Sequence, residues 1–227
     1  MRSTAAPEAG APPARIAGVP TERGRRTRAG LVGAAKRVFE RDGFLEARIS
    51  DIAKGAKVAH GTFYTYFSSK EEIFREVIAG VQADLLAGQA RGRRDREDRT
   101  GTYDPVRSIE AANRAYIAGY RSNARLLGLL EQVSTFNDDL RTMRLDMRRA
   151  FVERSAAAIT RLQAQGQADP ALNPWYAANA LCNMVDRFVY TWMVLGEEFE
   201  EEEAVATLTR LWAQALRLGS GVHAGRT

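Results

Sequence analysis

Ile52-Ala53-Lys54-Gly55-Ala56-Lys57-Val58-Ala59-His60-Gly61-Thr62-Phe63-Tyr64-Thr65-Tyr66-Phe67, continuing into Ser68-Ser69-Lys70-Glu71-Glu72, decides how this chain is organised. Ser50 can cap a short helix whose apolar positions Ile52, Ala53 and Ala56 share one face, and Val58 can fill the corner of a tight turn. A second helix then runs from about Ala59 to Phe67. Phe63 and Phe67, four apart, form its buried set with Tyr66 beside them, which leaves His60, Thr62, Tyr64 and Thr65 for another surface. Small residues at Ala59, Gly61 and Thr62 let that helix approach a phosphate backbone, where its N–H groups and dipole favour an anion. Taken singly, each tyrosine fits half-buried packing equally well.

Upstream, Leu31, Ala34, Ala35, Val38 and Phe39 make an i, i+3, i+4, i+7, i+8 stripe, so Arg28 to Asp42 is predicted to be an amphipathic helix that Gly43 closes. Three helices within about 45 residues are enough to share a core and hold a reading helix in a groove.

This joint pattern resembles the TetR family of bacterial transcriptional regulators, whose reading segment has the form Ile-Ala-x-x-Ala-Gly-Val-Ser-x-Gly-Thr-x-Tyr-x-Tyr-Phe followed by Lys-Glu. Ile52, Ala53, Ala56, Val58, Gly61, Thr62, Tyr64, Tyr66, Phe67, Lys70 and Glu71 match it. Lys57 departs from the usual turn glycine and Ala59 from the usual capping serine; a lysine at positive φ is disfavoured, and the missing cap removes about 1 kcal/mol. The resemblance implies DNA contacts from Arg48, Lys57, His60, Gly61, Thr62, Tyr64, Thr65 and Tyr66, with Lys70 clamping a phosphate.

Charge agrees with this polarity. Residues 1–60 hold 12 Lys and Arg against 6 Asp and Glu, and the rest hold 21 against 22, so the excess sits at the reading end. Residues 1–22, rich in Ala, Pro and Gly without apolar period, are expected to form a disordered tail. Arg23, Arg25, Arg26 and Arg28 then read as an arm for phosphates or a minor groove. The reading domain is expected over 23–68, a larger helical domain over 69–219, and a second disordered tail over 220–227. The fold class is thus all-α, with about nine helices.

No apolar run reaches 18 residues, and the single cysteine, Cys182, has apolar neighbours; both fit a cytoplasmic protein without a membrane span. Beyond Ser69 the pattern predicts a helix to about Ala90, a charged loop over 91–104, and further helices. These are Pro105 to Arg121, a helix capped by Asn123 reaching Thr135, Asp138 to Gln165, Pro174 to Leu195, and a last helix after the acidic run 197–203.

The helix from Pro174 is apolar on more than one face, which implies a second contact surface. The resemblance implies a homodimer joined by the last two helices, and Phe188, Trp192, Leu195, Leu208, Leu211, Trp212 and Ala215 are the candidates for that face. Asn179, Asn183 and Asp186 form a polar line in the same helix, which tyrosines, arginines or a ligand could satisfy. The family's inducer cavity lies among equivalent helices, so Tyr116, Tyr120, Phe136, Met143, Met147 and Phe151 join those three as candidate ligand residues, though such a stripe is more often plain core. The expected effector is small and largely hydrophobic. A regulator without a small-molecule effector is the alternative. A helical enzyme or carrier finds little support, because His60 and His223 are the only histidines and neither nucleophile–base pair, metal cluster nor phosphate loop appears. No cofactor is expected.

Overall fold

The computed structural model describes residues 21–97 and 103–218; the expected tails at 1–22 and 220–227 lie outside them except for Thr21 and Glu22, as does the stretch 98–102 of the expected loop. Among the described residues there are nine α-helices. The first, α1 (Glu22–Glu46), begins where the Thr21 hydroxyl accepts from the Gly24 N–H at 3.1 Å. It therefore starts one turn and a half before the predicted Arg28, and the arginines read as an arm are helical. Arg25 and Arg26 pair with Glu22, and Arg28 Nη1 donates to Glu76 at 2.6 Å. Gly43, at φ 78°, breaks α1 as expected, and Phe44 returns to the core against Phe39 and Phe74.

Two short helices follow, α2 (Ile49–Gly55) and α3 (His60–Tyr66). Ser50 lies inside α2; Arg48 holds the cap position without a side-chain bond. The turn is a Schellman motif, with Val58 N–H donating to Ala53 C=O at 3.0 Å and Lys57 N–H to Lys54 C=O at 3.0 Å. That motif needs a left-handed residue, and Lys57 supplies it at φ 57°. Ala59 precedes α3 without capping it.

Helix α4 (Lys70–Glu97) opens with a variant of the capping box: Glu72 N–H donates to Ser69 Oγ, while the Glu72 carboxylate reaches one residue beyond the cap and accepts from the Ser68 N–H. It runs seven residues past the predicted Ala90, into the stretch read as loop, because arginine and glutamate sustain a helix well. The body comprises α5 (Pro105–Arg121), α6 (Ala124–Val133), α7 (Asp138–Ala164), α8 (Pro174–Met193) and α9 (Glu201–Ala215). Asp104, Asn137, Asn173 and Glu200 cap four of them through their side chains. Asn123 occupies the cap of α6 but does not cap it; its Nδ2 donates to Gly119 C=O and its Oδ1 accepts from Lys36. The acidic run does more than suit a helix start, since Glu202 and Glu201 receive Arg114 and Arg121 of α5.

Packing divides into two cores. One joins α1–α4 to α6 and the first half of α7, so the reading helices and the body share it through Ile73, Phe74, Ile78, Leu126, Leu130 and Met147. The other joins α5, the second half of α7, α8 and α9 around Ile117, Val152, Ile159, Val189, Val205 and Leu208. Leu127 packs against both.

Candidate nucleic-acid interface and effector cavity

Phe63 and Phe67 anchor α3, being 0% and 1% exposed, and turn its opposite face outward. His60, Gly61, Tyr64 and Thr65 are exposed on that face, and Arg48 and Lys57 are exposed beside it. Tyr64 is held between the His60 ring, edge-on at 5.6 Å, and the Phe63 ring at 5.4 Å. Thr62 and Tyr66 are half-buried, and Tyr66 packs on the core. A Cβ added at Gly61 would meet nothing within 4 Å, so no contact within the chain requires that glycine.

Lys70 departs from its expected role. Its ammonium donates to Leu45 C=O at 2.9 Å and to Ala47 C=O at 3.2 Å, and lies 4.9 Å from the Phe44 ring centre. It first clasps the end of α1 to the start of α4, leaving one N–H for any phosphate. Arg28 ties the same region together, with its guanidinium 5.0 Å from the Phe67 ring and bonded to Glu76. Two bonds then join the reader to the body: Lys36 Nζ to Asn123 Oδ1 at 3.0 Å, and Arg125 Nη2 to Arg41 C=O at 3.0 Å.

A cavity of about 130 Å³ opens at the seam between the two cores. Of the nine expected ligand residues, Tyr116, Tyr120, Met147, Phe151 and Asp186 line it. Phe136 does not; it is 59% exposed in the α6–α7 turn. Met143 packs on the reader-side core, because successive i+4 steps along α7 drift by about 40° and carry it off the face shared by Met147 and Phe151. Asn179 and Asn183 stand outside the lining and hold Arg148, whose Nη2 and Nε donate to their Oδ1 atoms at 3.0 and 2.8 Å. Asp186 accepts the Tyr116 hydroxyl at 2.7 Å. The polar line is thus satisfied within the chain. Burial and the Asp186 carboxylate push the Tyr116 phenol well above its ordinary pKa, so it stays a donor; burial likewise raises Tyr120 and the Cys182 thiol.

Arg144, Arg148, Glu131, Tyr190 and Leu85 also line the cavity and were missed. Residues 144, 147, 148 and 151 follow an i, i+3, i+4, i+7 spacing, so the methionine–phenylalanine face of α7 already implied the two arginines.

The expected dimer residues divide. Leu208 and Trp212 are 1% and 8% exposed and belong to the protomer's own core, a correction to their expected place on a shared face. Their neighbours Leu211 and Ala215, one helical face away, are exposed, as is Leu195. Phe188 and Trp192 are half-buried and meet Phe199, with ring centres at 4.5 and 6.2 Å. Tyr176, at 74% exposure, is a further outward aromatic on α8. Among the described residues no helix is long and apolar enough to cross a membrane, and no cluster of His, Cys, Asp and Glu could hold a metal.

A helix-turn-helix reader fused through a shared core to a cavity-bearing helical body is the architecture of a DNA-binding transcriptional regulator. Residues 31–77 match the family model of bacterial regulatory proteins of the TetR family. The transcriptional regulator EthR of Mycolicibacterium smegmatis is 26% identical over 207 residues, covering 86% of this chain and 92% of its own. Two solved structures share the fold. The fatty acid degradation regulator FadR from Bacillus halodurans has a TM-score of 0.68 at 19% identity, over 85% of this chain and 97% of its own. NalD, the secondary repressor of the MexAB-OprM multidrug efflux pump in Pseudomonas aeruginosa, has 0.65 at 20% identity, over 86% and 98%. Residues 31–77 are thus a TetR-family DNA-binding segment, and the chain is a DNA-binding transcriptional regulator.

Proposed function

We propose that the chain is a cytoplasmic repressor that binds a pseudo-palindromic operator as a homodimer and is released by a small, largely hydrophobic effector held in the seam cavity. The observation that carries this reading is the cavity's place: Met147 belongs to the reader-side core and Val185 to the other, and both line it. A molecule wedged between two cores favours whichever packing of them leaves it room, and its differential affinity for the two packings shifts the reader.

The DNA contacts are assigned to His60, Gly61, Tyr64 and Thr65 in the major groove, with Arg48 and Lys57 on flanking phosphates. Exposed Leu195, Leu211 and Ala215, together with half-buried Phe188 and Trp192, are assigned to the partner subunit. Two-fold pairing through this surface sets two readers about one DNA turn, roughly 34–36 Å, apart. Selection of bound duplexes from a random library tests the reading. Inverted half-sites at that spacing, bound by a species of dimer mass, are expected; recovery of single half-sites alone would overturn it.

A further inference from the structure

Five charged side chains border the seam cavity: Glu131, Arg144, Arg148, Asp186 and Arg187, three positive and two negative. Their partners are unequal. Glu131 is shared by Arg144 and Arg187, and Asp186 takes the Tyr116 hydroxyl. Arg148 rests on Asn179 and Asn183, two neutral acceptors that aim its guanidinium without cancelling its charge. Among the described residues it makes no ion pair. Two of its five N–H groups are used in those bonds, leaving three in a fixed fork that matches a carboxylate.

A second cavity, of about 280 Å³, lies beyond, between α5, α7 and α9. Ile109, Ala112, Ile159, Leu162, Trp212 and Leu216 give it an apolar wall, while Arg154 and Arg161, both exposed to solvent, border it as well. Asn113 and Phe151 line both cavities. Phe151, edge-on to Tyr116 at 5.8 Å, therefore borders both the chamber that holds Arg148 and the one with the apolar wall.

We infer that the effector is an elongated amphipathic anion, with a carboxylate head on Arg148 and an apolar body passing Phe151 into the second cavity. This rests on the reading of the seam cavity as the effector site, and it adds the sign of the head and the course of the body. A monoanion neutralises the wall's single excess positive charge. An ammonium head would meet Arg148 uncompensated. A neutral head would leave the guanidinium's remaining donors without a charged acceptor, and charge-assisted bonds are about twice as strong as neutral ones.

The test is titration of the full-length chain with decanoate, decylamine, decanol and tetradecanoate, read by tryptophan fluorescence and by release of selected operator DNA. Decanoate is expected to bind about tenfold or more tighter than decanol and decylamine, and tetradecanoate tighter than decanoate. In Arg148→Gln the carboxylate advantage is expected to vanish while decanol binding persists, which shows that the variant is folded. In Phe151→Trp the gain from the longer chain is expected to vanish while the head preference remains. Equal or preferred binding of decylamine, an undiminished preference in Arg148→Gln, no gain with length, or no binding of any of the four would overturn the inference. Release of operator by decylamine or decanol at concentrations no higher than decanoate requires would leave the effector-cavity reading standing while the anionic head falls.

Discussion

Lys57 sits where the backbone demands a glycine, and that single residue separates stability from binding. A side chain at φ 57° costs about 1 kcal/mol relative to glycine. Lys57→Gly is therefore expected to raise Tm by about 2–4 °C, while operator affinity falls and the slope of log affinity against log salt loses about one unit. Calorimetry and anisotropy at several salt concentrations read the two effects; a destabilised variant would refute the strain. Gly61 gives the converse case. Alanine there meets open space and improves helix propensity by up to about 1 kcal/mol. Gly61→Ala is expected to keep or raise Tm yet weaken operator binding, because in the proposed interface the space a methyl fills is that of DNA. Tyr64→Ala, removing a ring 53% exposed, is expected to weaken operator binding in gel shifts with the dimer intact. At this scale the reader was legible in sequence, since its spacing obeys local rules. Lys70 was not, because nothing local tells whether an ammonium will meet a phosphate or the carbonyls of Leu45 and Ala47.

Between elements, the Arg28–Glu76 pair joins α1 to α4 next to the recognition helix. The bond from Arg28 holds the Glu76 carboxyl below its ordinary value of 4.5. A carboxyl depressed in the folded state adds stability that is complete above its unfolded pKa and is lost as pH falls through the lower folded one. Both side chains are over a third exposed, so the contribution is under about 1 kcal/mol. Glu76→Gln is expected to melt slightly below the parent chain near neutrality, the gap closing as pH falls below 4.5; a gap independent of pH would refute the pairing. Helix existence was legible from periodicity and caps such as Asp104-Pro105 and Asn173-Pro174. Partnership was not: Asn123 has the sequence of a cap, yet it bridges Lys36 of one layer and Gly119 of another. That choice depends on which helices meet.

For the whole molecule, neighbouring faces of α9 carry different duties. Leu211→Glu is expected to shift the chain to monomer mass in light scattering and to abolish operator binding, whereas Leu208→Ala is expected to cost about 2–5 kcal/mol of stability through a core cavity. If Leu211→Glu stays dimeric, the pairing surface lies elsewhere. Sequence could not divide these residues, because Leu208, Leu211, Trp212 and Ala215 are all apolar and only three-dimensional packing decides which of two adjacent stripes is covered. The cavity was half legible for the same reason: α7 declared its face through Met147 and Phe151, but the seam it faces is a product of two cores meeting.

Helix α4 belongs to both ends of the molecule, with Lys70 clasping the reader and Leu85 in the cavity wall. The span between them is about 22 Å at 1.5 Å per residue. A swing of roughly 5° about the Leu85 end would carry the Lys70 end through about 2 Å, and in the proposed dimer two protomers swinging apart would change the gap between their readers by up to about 4 Å. One base-pair step is about 3.4 Å. On the proposed function the protein would work as a caliper, whose jaws leave the correct rung of the DNA ladder when a molecule no larger than its hinge chamber forces them.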